Sequence, residues 1–496
     1  MPNAISPVRT SHITEPFVQT LETASGVNAK DDPRYYASSP RQLISTSTVH
    51  SFSTGTGSAL YNSLLPLLES TAHELILVTC FWARSSTLNT LNSLLRKLSD
   101  KAVRRGTEKI KVRLCFSSSS LFQKLFHKQS VTGQTYDSSV WVKKLGLPPP
   151  NELGGLDLKV KSVFMLPFSV VHPKFMIVDR QVVALPSCNI SWEEWFEGCI
   201  TLSGPIVNSF LQFHKHFWER REFDVAETAA QPATAVLARV ENGVTGIDDR
   251  GHGHVTTTFS SKPGSLTVRD IPTIFLPSPH RRNPRFQPFA PTDKVLAPPT
   301  PLNTFVLTLL EKAEKSIRIQ TPNLTAAPVL SCLLRALSRG IDVQILTSER
   351  LMVLEQLVTA GTTTSRCVKT LIKRYKKLFT SSPSLSTSDE EAAISAPRIG
   401  ALHIAYFASI GGPKSRGQEA DEPQQSHLKM MIVDEEVLVL GSGNLDRASW
   451  FTSQELGVAF FDKGLVERVA SVVDEAMQGR SRVVFDSGVD KLCGEE

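Results

Sequence analysis

The segment HPKFMIVD at residues 172–179, trailed by PSCN at 186–189, returns as HLKMMIVD at 427–434 with GSGN at 441–444. Five residues agree in type: His172 with His427, Lys174 with Lys429, Asp179 with Asp434, Ser187 with Ser442 and Asn189 with Asn444. Each pair stands 255 residues apart. One His-x-Lys means little in a long chain, but a register kept at five positions marks a duplicated unit. The surroundings repeat as well. In the first half Leu75–Val78 reads as a short strand, Leu91, Leu94, Leu95 and Leu98 as a helix stripe, and Ile110, Val112 and Leu114 as an alternating strand. In the second half Ile317 and Ile319, then Leu330, Leu333, Leu334 and Leu337, then Ile341, Val343 and Ile345 follow the same order. Upstream of each lies another helix pattern (Leu60, Leu64, Leu67, Leu68; Phe305, Val306, Leu309, Leu310). The expected fold is α/β, two homologous lobes, each a mixed β-sheet flanked by helices, related by a pseudo-twofold axis with both motifs facing one cleft.

The residue types point to phosphorus chemistry. The run after each His is β-prone, and a strand's period of two places His172 with Lys174, and His427 with Lys429, on one face. The second apolar runs, Val182–Leu185 and Val437–Leu440, read as hairpin partners that bring Ser187 and Asn189, and Ser442 and Asn444, alongside. A pocket with two imidazoles, two ammonium groups and four neutral donors suits a phosphodiester. The lysines offset charge on the phosphoryl oxygens, one His attacks phosphorus, and the other protonates the departing oxygen. The expected intermediate is a phosphohistidine resolved by water or an alcohol. No metal or other cofactor is expected, because the lysines carry the needed charge and no carboxylate or Cys/His cluster has ligand spacing. Asp179 and Asp434 fall by parity on the opposite strand face, where they are expected to hold the motif loops.

These HxKx4D segments with GSxN-like tails resemble the phospholipase D superfamily, over roughly residues 49–473, and the second half looks most like cardiolipin synthase-type phosphatidyltransferases. The resemblance implies that Glu197 and Glu455 orient the imidazoles, that His172 is the nucleophile and that His427 is the acid. It also places Trp82 and Asn323, at equivalent strand ends, near the pocket. The chain departs from the family in having Pro186 where the pattern has Gly, and SWEEW at 191–195 where the second half has LDRAS at 445–449.

The expected domain plan is a flexible leader at 1–45 that drapes partly on the body, a first repeat at 46–225, a linker at 226–268, a second repeat at 269–480 with insertions around 380–425, and a tail at 481–496. With 496 residues, 41% of them hydrophobic and 21% charged, the chain has ample core and is no disordered polymer. No apolar run reaches the ~20 residues that cross a bilayer. Seven cysteines without a CxxC pair suggest free thiols and an intracellular setting. The net charge of +6 is compatible with phosphate-bearing partners. RCVKTLIKRYKKLF at 366–379 reads as a basic amphipathic helix, either packed on the core with a solvated basic face or resting on a peripheral anionic membrane surface. The basic segment Pro277–Arg285 is a candidate for the pocket rim. Trp192 and Trp195 are expected to pack, with the lining of an acyl groove as the alternative. His252, His254 and His403 carry no expected role. The favoured substrate is a phospholipid, with water or an alcohol as acceptor. A nucleic-acid phosphodiesterase is the first alternative and an inactive phospholipid-binding scaffold the second.

Overall fold

The computed structural model describes residues 7–106, 108–118, 130–164, 170–220, 234–243, 255–258, 268–280, 296–380, 398–412 and 422–488. Its strands in chain order are β1 (Ile44–Gly55), β2 (Glu74–Phe81), β3 (Ile110–Ser118), β4 (Ser130–Tyr136), β5 (Leu156–Phe164), β6 (Phe175–Val178), β7 (Val182–Pro186), β8 (Trp195–Ser203), β9 (Val255–Thr258), β10 (Val268–Ser278), β11 (Ser316–Thr321), β12 (Asp342–Thr347), β13 (Leu402–Phe407), β14 (Gln425–Ser426), β15 (Met430–Val433), β16 (Val437–Gly441), β17 (Glu455–Phe461) and β18 (Ser481–Asp486).

Pairing runs β4–β5–β3–β2–β6–β7–β8–β1 and continues through the antiparallel β1–β10 pair into β10–β17–β16–β15–β11–β12–β13–β18. From the centre outward the two sides repeat one order: a Glu-bearing strand, the motif hairpin, then parallel strands reached through helices. This is the expected α/β fold with twofold-related halves. The parallel strands are covered on both faces, so β2 is buried along nearly its whole length.

Helices Gly57–Glu69 and Pro301–Lys312 begin alike. Thr56 accepts a hydrogen bond from the Ala59 N–H and Thr300 from the Asn303 N–H, each satisfying a first-turn donor. Helices Ser86–Arg105 and Ala327–Ser338 bury the leucine stripes expected from the sequence. The apolar core divides in two. One cluster lies under the first-half helices, around Leu64, Leu91, Leu95 and Val112. The other runs through the centre into the second half, around Phe210, Phe275, Phe305 and Leu333.

Each motif hairpin turns through two non-glycine residues with positive φ: Asp179 (48°) and Arg180 (57°), then Asp434 (57°) and Glu435 (60°). Aspartate tolerates this conformation better than most residues, and here its carboxylate has a fixed destination. Asp179 accepts from the backbone N–H groups of Ala72, His73 and Glu74 at 2.9, 2.7 and 2.9 Å. Asp434 accepts from Glu314, Lys315 and Ser316 at 3.0, 2.6 and 3.0 Å. Each carboxylate pins its hairpin to the turn that enters the neighbouring strand, so these two residues set the register of the motif.

Three parts of the expected domain plan look different in the structure. Within the leader, Pro7–Thr23 is a helix that buries Phe17, Val18 and Leu21, and Phe17 meets Phe305 edge-on at 5.4 Å. Enough apolar surface is buried there to hold the segment in place rather than leave it flexible. Within the linker, Thr234–Gly243 is a helix whose Arg239 ion-pairs with Asp179, and β9 pairs with β1. Within the tail, β18 adds to β13. His252, His254 and residues 281–285 lie outside the described residues.

Candidate active site

The segments carrying the two histidines each cross to the opposite half of the molecule. The His172 N–H donates to the Gln454 carbonyl at 3.0 Å, just ahead of β17. The His427 N–H donates to the Phe196 carbonyl at 2.9 Å, and β14 runs parallel to the start of β8. The consequence is an exchange of carboxylates. His172 Nδ1 lies 2.9 Å from Glu455 Oε2, and His427 Nδ1 lies 2.8 Å from Glu197 Oε1. Each histidine is thus held by the glutamate of the other repeat. The two imidazole centroids are 6.3 Å apart, with their planes nearly perpendicular at 83°.

Lys174 and Lys429 are both buried, and each donates back to the carbonyl of its own histidine, at 2.9 and 2.6 Å. This fixes each ammonium group two residues beyond its imidazole, as the strand period implied. Ser187 and Ser442 behave otherwise than expected. Ser187 donates its hydroxyl hydrogen to Glu197 and accepts from the Gly198 N–H at 2.9 Å. Ser442 donates to Glu455 Oε2 at 2.5 Å and accepts from the Leu456 N–H at 3.0 Å. Both hydroxyls donate to the carboxylates, and so hold the glutamates in place. Asn444 is held by Asp446, to which its Nδ2 donates at 3.0 Å, and Asn189 Oδ1 accepts from the Phe81 N–H at 3.2 Å. The Asn444 Oδ1 is buried without a partner.

Burial dominates the electrostatics. It drives His427 down to about 3, against the opposing pull of Glu197, and lowers His172 in the same direction against Glu455. Lys429 falls to about 7, again chiefly by burial, and it borders an apolar cavity of about 40 Å³ lined by Leu302, Val306, Met430 and Trp450. Burial alone would raise the two glutamates, but the facing imidazole, its hydrogen bond and the serine hydroxyl together hold each below the usual carboxylate value. The resulting state is a neutral imidazole donating Nδ1–H to an ionised carboxylate, with Nε2 keeping its lone pair. Among the described residues no group of three His, Cys, Asp or Glu is placed to hold a metal ion.

Trp195 packs on the site itself: its ring lies 4.5 Å from that of His427, which is 3% exposed against 13% for the His172 side chain. Trp192 is 68% exposed. Trp82 does not reach the pocket: it is buried, with its Nε1 donating to the Leu145 carbonyl at 2.9 Å. Asn323 is likewise buried, against Gln356 and Asp446. Within the rim segment, Ser278 sits opposite Glu455 in the β10–β17 register, as Gly55 sits opposite Glu197. His280 follows, a buried imidazole lowered to about 4 by burial, with Nε2 unpartnered and its carbonyl accepting from Gln454 Nε2 at 3.2 Å. Its neighbours in sequence, Arg281 and Arg282, are basic. Its proximity to Glu455 depends on a strand pairing that no local pattern encodes.

Residues 306–477 match the family described as cardiolipin synthase, PLD-like domain. No curated protein matches the chain. Among solved structures, phosphatidylserine synthase from Haemophilus influenzae Rd KW20 is similar at 13% identity, over 91% of this chain and 94% of that one, with a TM-score of 0.46. Nuc from Salmonella typhimurium, a phospholipase D family member, is similar at 19% identity over 37% of this chain and 90% of its own, with a TM-score of 0.23. Polyphosphate kinase from Porphyromonas gingivalis is similar at 10% identity over 86% of this chain and 47% of its own, with a TM-score of 0.42. The second half thus carries a cardiolipin synthase-type, phospholipase D-like domain, and the first half repeats its His-x-Lys motif in register.

Proposed function

We propose that the chain cleaves or transfers a phospholipid phosphodiester through a covalent phosphohistidine, as a phosphatidyltransferase of the cardiolipin synthase type or a phospholipase D. The observation that carries this reading is the pair of imidazoles with centroids 6.3 Å apart, each tied to a carboxylate of the other repeat and each followed by a buried lysine. His172, the more exposed of the two, attacks phosphorus through Nε2. A P–N bond forms as the P–O bond to the leaving alcohol breaks, and His427 gives that oxygen a proton. Entry of the anionic diester favours the protonated form of His427, which the empty site disfavours. His427 then takes the proton of water or an acceptor alcohol, whose oxygen attacks phosphorus and breaks the P–N bond. Lys174 and Lys429 offset the charge on the equatorial oxygens. Glu197 and Glu455 fix each ring's tautomer and stabilise its charged form, and the serines fix the glutamates. The PLD-like domain match favours phospholipid over nucleic acid.

The test is side-by-side incubation with phosphatidylglycerol, phosphatidylcholine and single-stranded DNA, with products resolved for each and the protein quenched to trap an adduct. The expected result is lipid turnover with a base-stable, acid-labile phosphoprotein that is lost in His172→Ala. In His427→Ala, product formation falls by about 100-fold or more. Turnover of DNA alone would replace the lipid reading with the nuclease one. No adduct and no turnover on any substrate would favour a binding scaffold.

A further inference from the structure

Helix Val353–Ala360 is built inside out. Its inward positions are Gln356, Thr359 and Ala360, while Leu354 is 76% exposed, Val358 40% and Leu357 36%, with Met352 just ahead at 38%. A surface helix ordinarily turns its large apolar side chains to the core. This one turns them to solvent, so among the described residues this apolar face is uncovered. The next helix, Thr364–Thr380, is conventional on its inner side, where Val368, Leu371 and Tyr375 are buried. Its outer side exposes Arg366, Lys369, Lys373, Arg374, Lys376 and Lys377, and Phe379 is 40% exposed near its end. Residues 350–380 hold seven basic residues and one acidic, Glu355, so the apolar face is bordered by a strongly positive one.

We propose that these two helices form a docking surface for an anionic phospholipid bilayer, with Met352, Leu354, Leu357 and Val358 entering the interface and the basic helix lying on the headgroups. An apolar strip beside a cationic one is the combination that binds such a surface, since acyl-chain contact and headgroup attraction add. A folded protein partner of ordinary charge would match the strip but not the adjoining positive face.

The position of this surface gives it a purpose. Gln356 Oε1 accepts from the Thr364 N–H at 2.6 Å, and the Thr364 hydroxyl accepts from the Leu324 N–H at 3.0 Å. Leu324 bridges to Leu445, the residue after Asn444. Helix Val353–Ala360 also packs against Arg447–Phe451, which directly follows the GSGN loop. A membrane on this face is therefore beside the cleft, and a headgroup reaches the paired imidazoles without the lipid leaving its leaflet. This use of the surface rests on the phospholipid reading, whereas the docking itself is independent of catalysis.

The experiment is sedimentation of the full chain with vesicles of phosphatidylcholine alone or with about one-third phosphatidylglycerol. The expected result is binding to the anionic vesicles that weakens as salt is raised, and little binding to neutral ones. The double variants Leu354→Asp with Leu357→Asp, and Lys373→Glu with Arg374→Glu, are each expected to lower partitioning by roughly tenfold or more while keeping the thermal midpoint and turnover of a water-soluble phosphodiester. Equal partitioning of variants and wild type overturns the proposal. So does a switch from dimer to monomer in the leucine variant, by light scattering, with vesicle binding unchanged, since the strip would then be an interface between copies. Normal vesicle binding without lipid turnover would instead count against the phospholipid reading and leave the docking surface standing.

Discussion

His427 is enclosed by Trp195, Lys429 and Glu197, and the cost of charging it there has a consequence beyond catalysis. An unfolded histidine titrates near 6.5, whereas folded His427 is driven to about 3. Between these values the unfolded chain holds more protons, so stability falls as the pH drops from about 6.5 towards 3. Glu197, held below its ordinary value, acts in the same direction at lower pH. Thermal unfolding midpoints are expected to drop between about pH 7 and about pH 5, and to drop less in His427→Asn, which removes the titrating group. The carboxylate exchange makes a second prediction. Glu197→Gln should slow turnover by roughly 10–100-fold, the usual scale for losing the partner that orients a functional imidazole. In double-mutant cycles Glu197 is expected to couple to His427 and Glu455 to His172, with weaker coupling between Glu197 and His172. The reverse pattern would contradict the exchanged geometry. The types and spacing of these residues were readable from the sequence. Which glutamate serves which histidine was not, because that choice is made by backbone bonds at Gln454 and Phe196.

At the scale of elements, the two repeats solve one packing problem in different ways. In the second, a Cβ at Gly441 would lie 2.4 Å from the Leu456 carbonyl oxygen, so only glycine fits between β16 and β17. Pro186 holds the matching place at the end of β7 and is accommodated in its pairing with Cys199. Next to it the sizes are exchanged. Cys188 packs against Gly57, whose added Cβ would approach the Cys188 Cβ to 3.3 Å, whereas Gly443 packs against Leu302 with an added Cβ at 2.8 Å. The departure of the first loop from the family pattern is thus met by a small residue on the facing helix. Gly441→Ala is expected to cost about 1–3 kcal/mol in chemical denaturation, as an overpacked site, and a neutral result would mean that the β16–β17 pair can separate without penalty. The motif strands, hairpins and leucine helices were legible because each has its own period. The size exchange was not, since it links residues far apart in the chain.

Across the whole molecule, the central β1–β10 pair joins two sheets into one, and the first helix in the chain packs on the second half. Phe17 is fully buried against Phe305, so Phe17→Ala is expected to destabilise the protein by about 3–5 kcal/mol. Hydrogen exchange should show the loss spreading into helix Pro301–Lys312, and an effect limited to residues before 45 would speak against the packing seen here. The segment looked like a leader because its composition is polar and weakly patterned. Only Phe17, Val18 and Leu21 with a few neighbours are apolar, and they gain value from the surface they meet. No helix among the described residues is long and apolar enough to cross a membrane.

By itself the sequence determined the duplication and the α/β class, because a repeat register and a strand period are properties of neighbours along the chain. It also gave the motif aspartates their structural place, since parity alone puts them away from His and Lys. Tertiary structure alone decided the rest. The serines serve the glutamates because strand pairing sets each hydroxyl against a buried carboxylate. The histidines draw their partners from opposite repeats because each crosses to the far sheet. The basic residues of 366–377 come to lie beside an exposed apolar helix. Such outcomes depend on which distant surfaces exclude water from one another, and that is settled only when the chain has closed on itself.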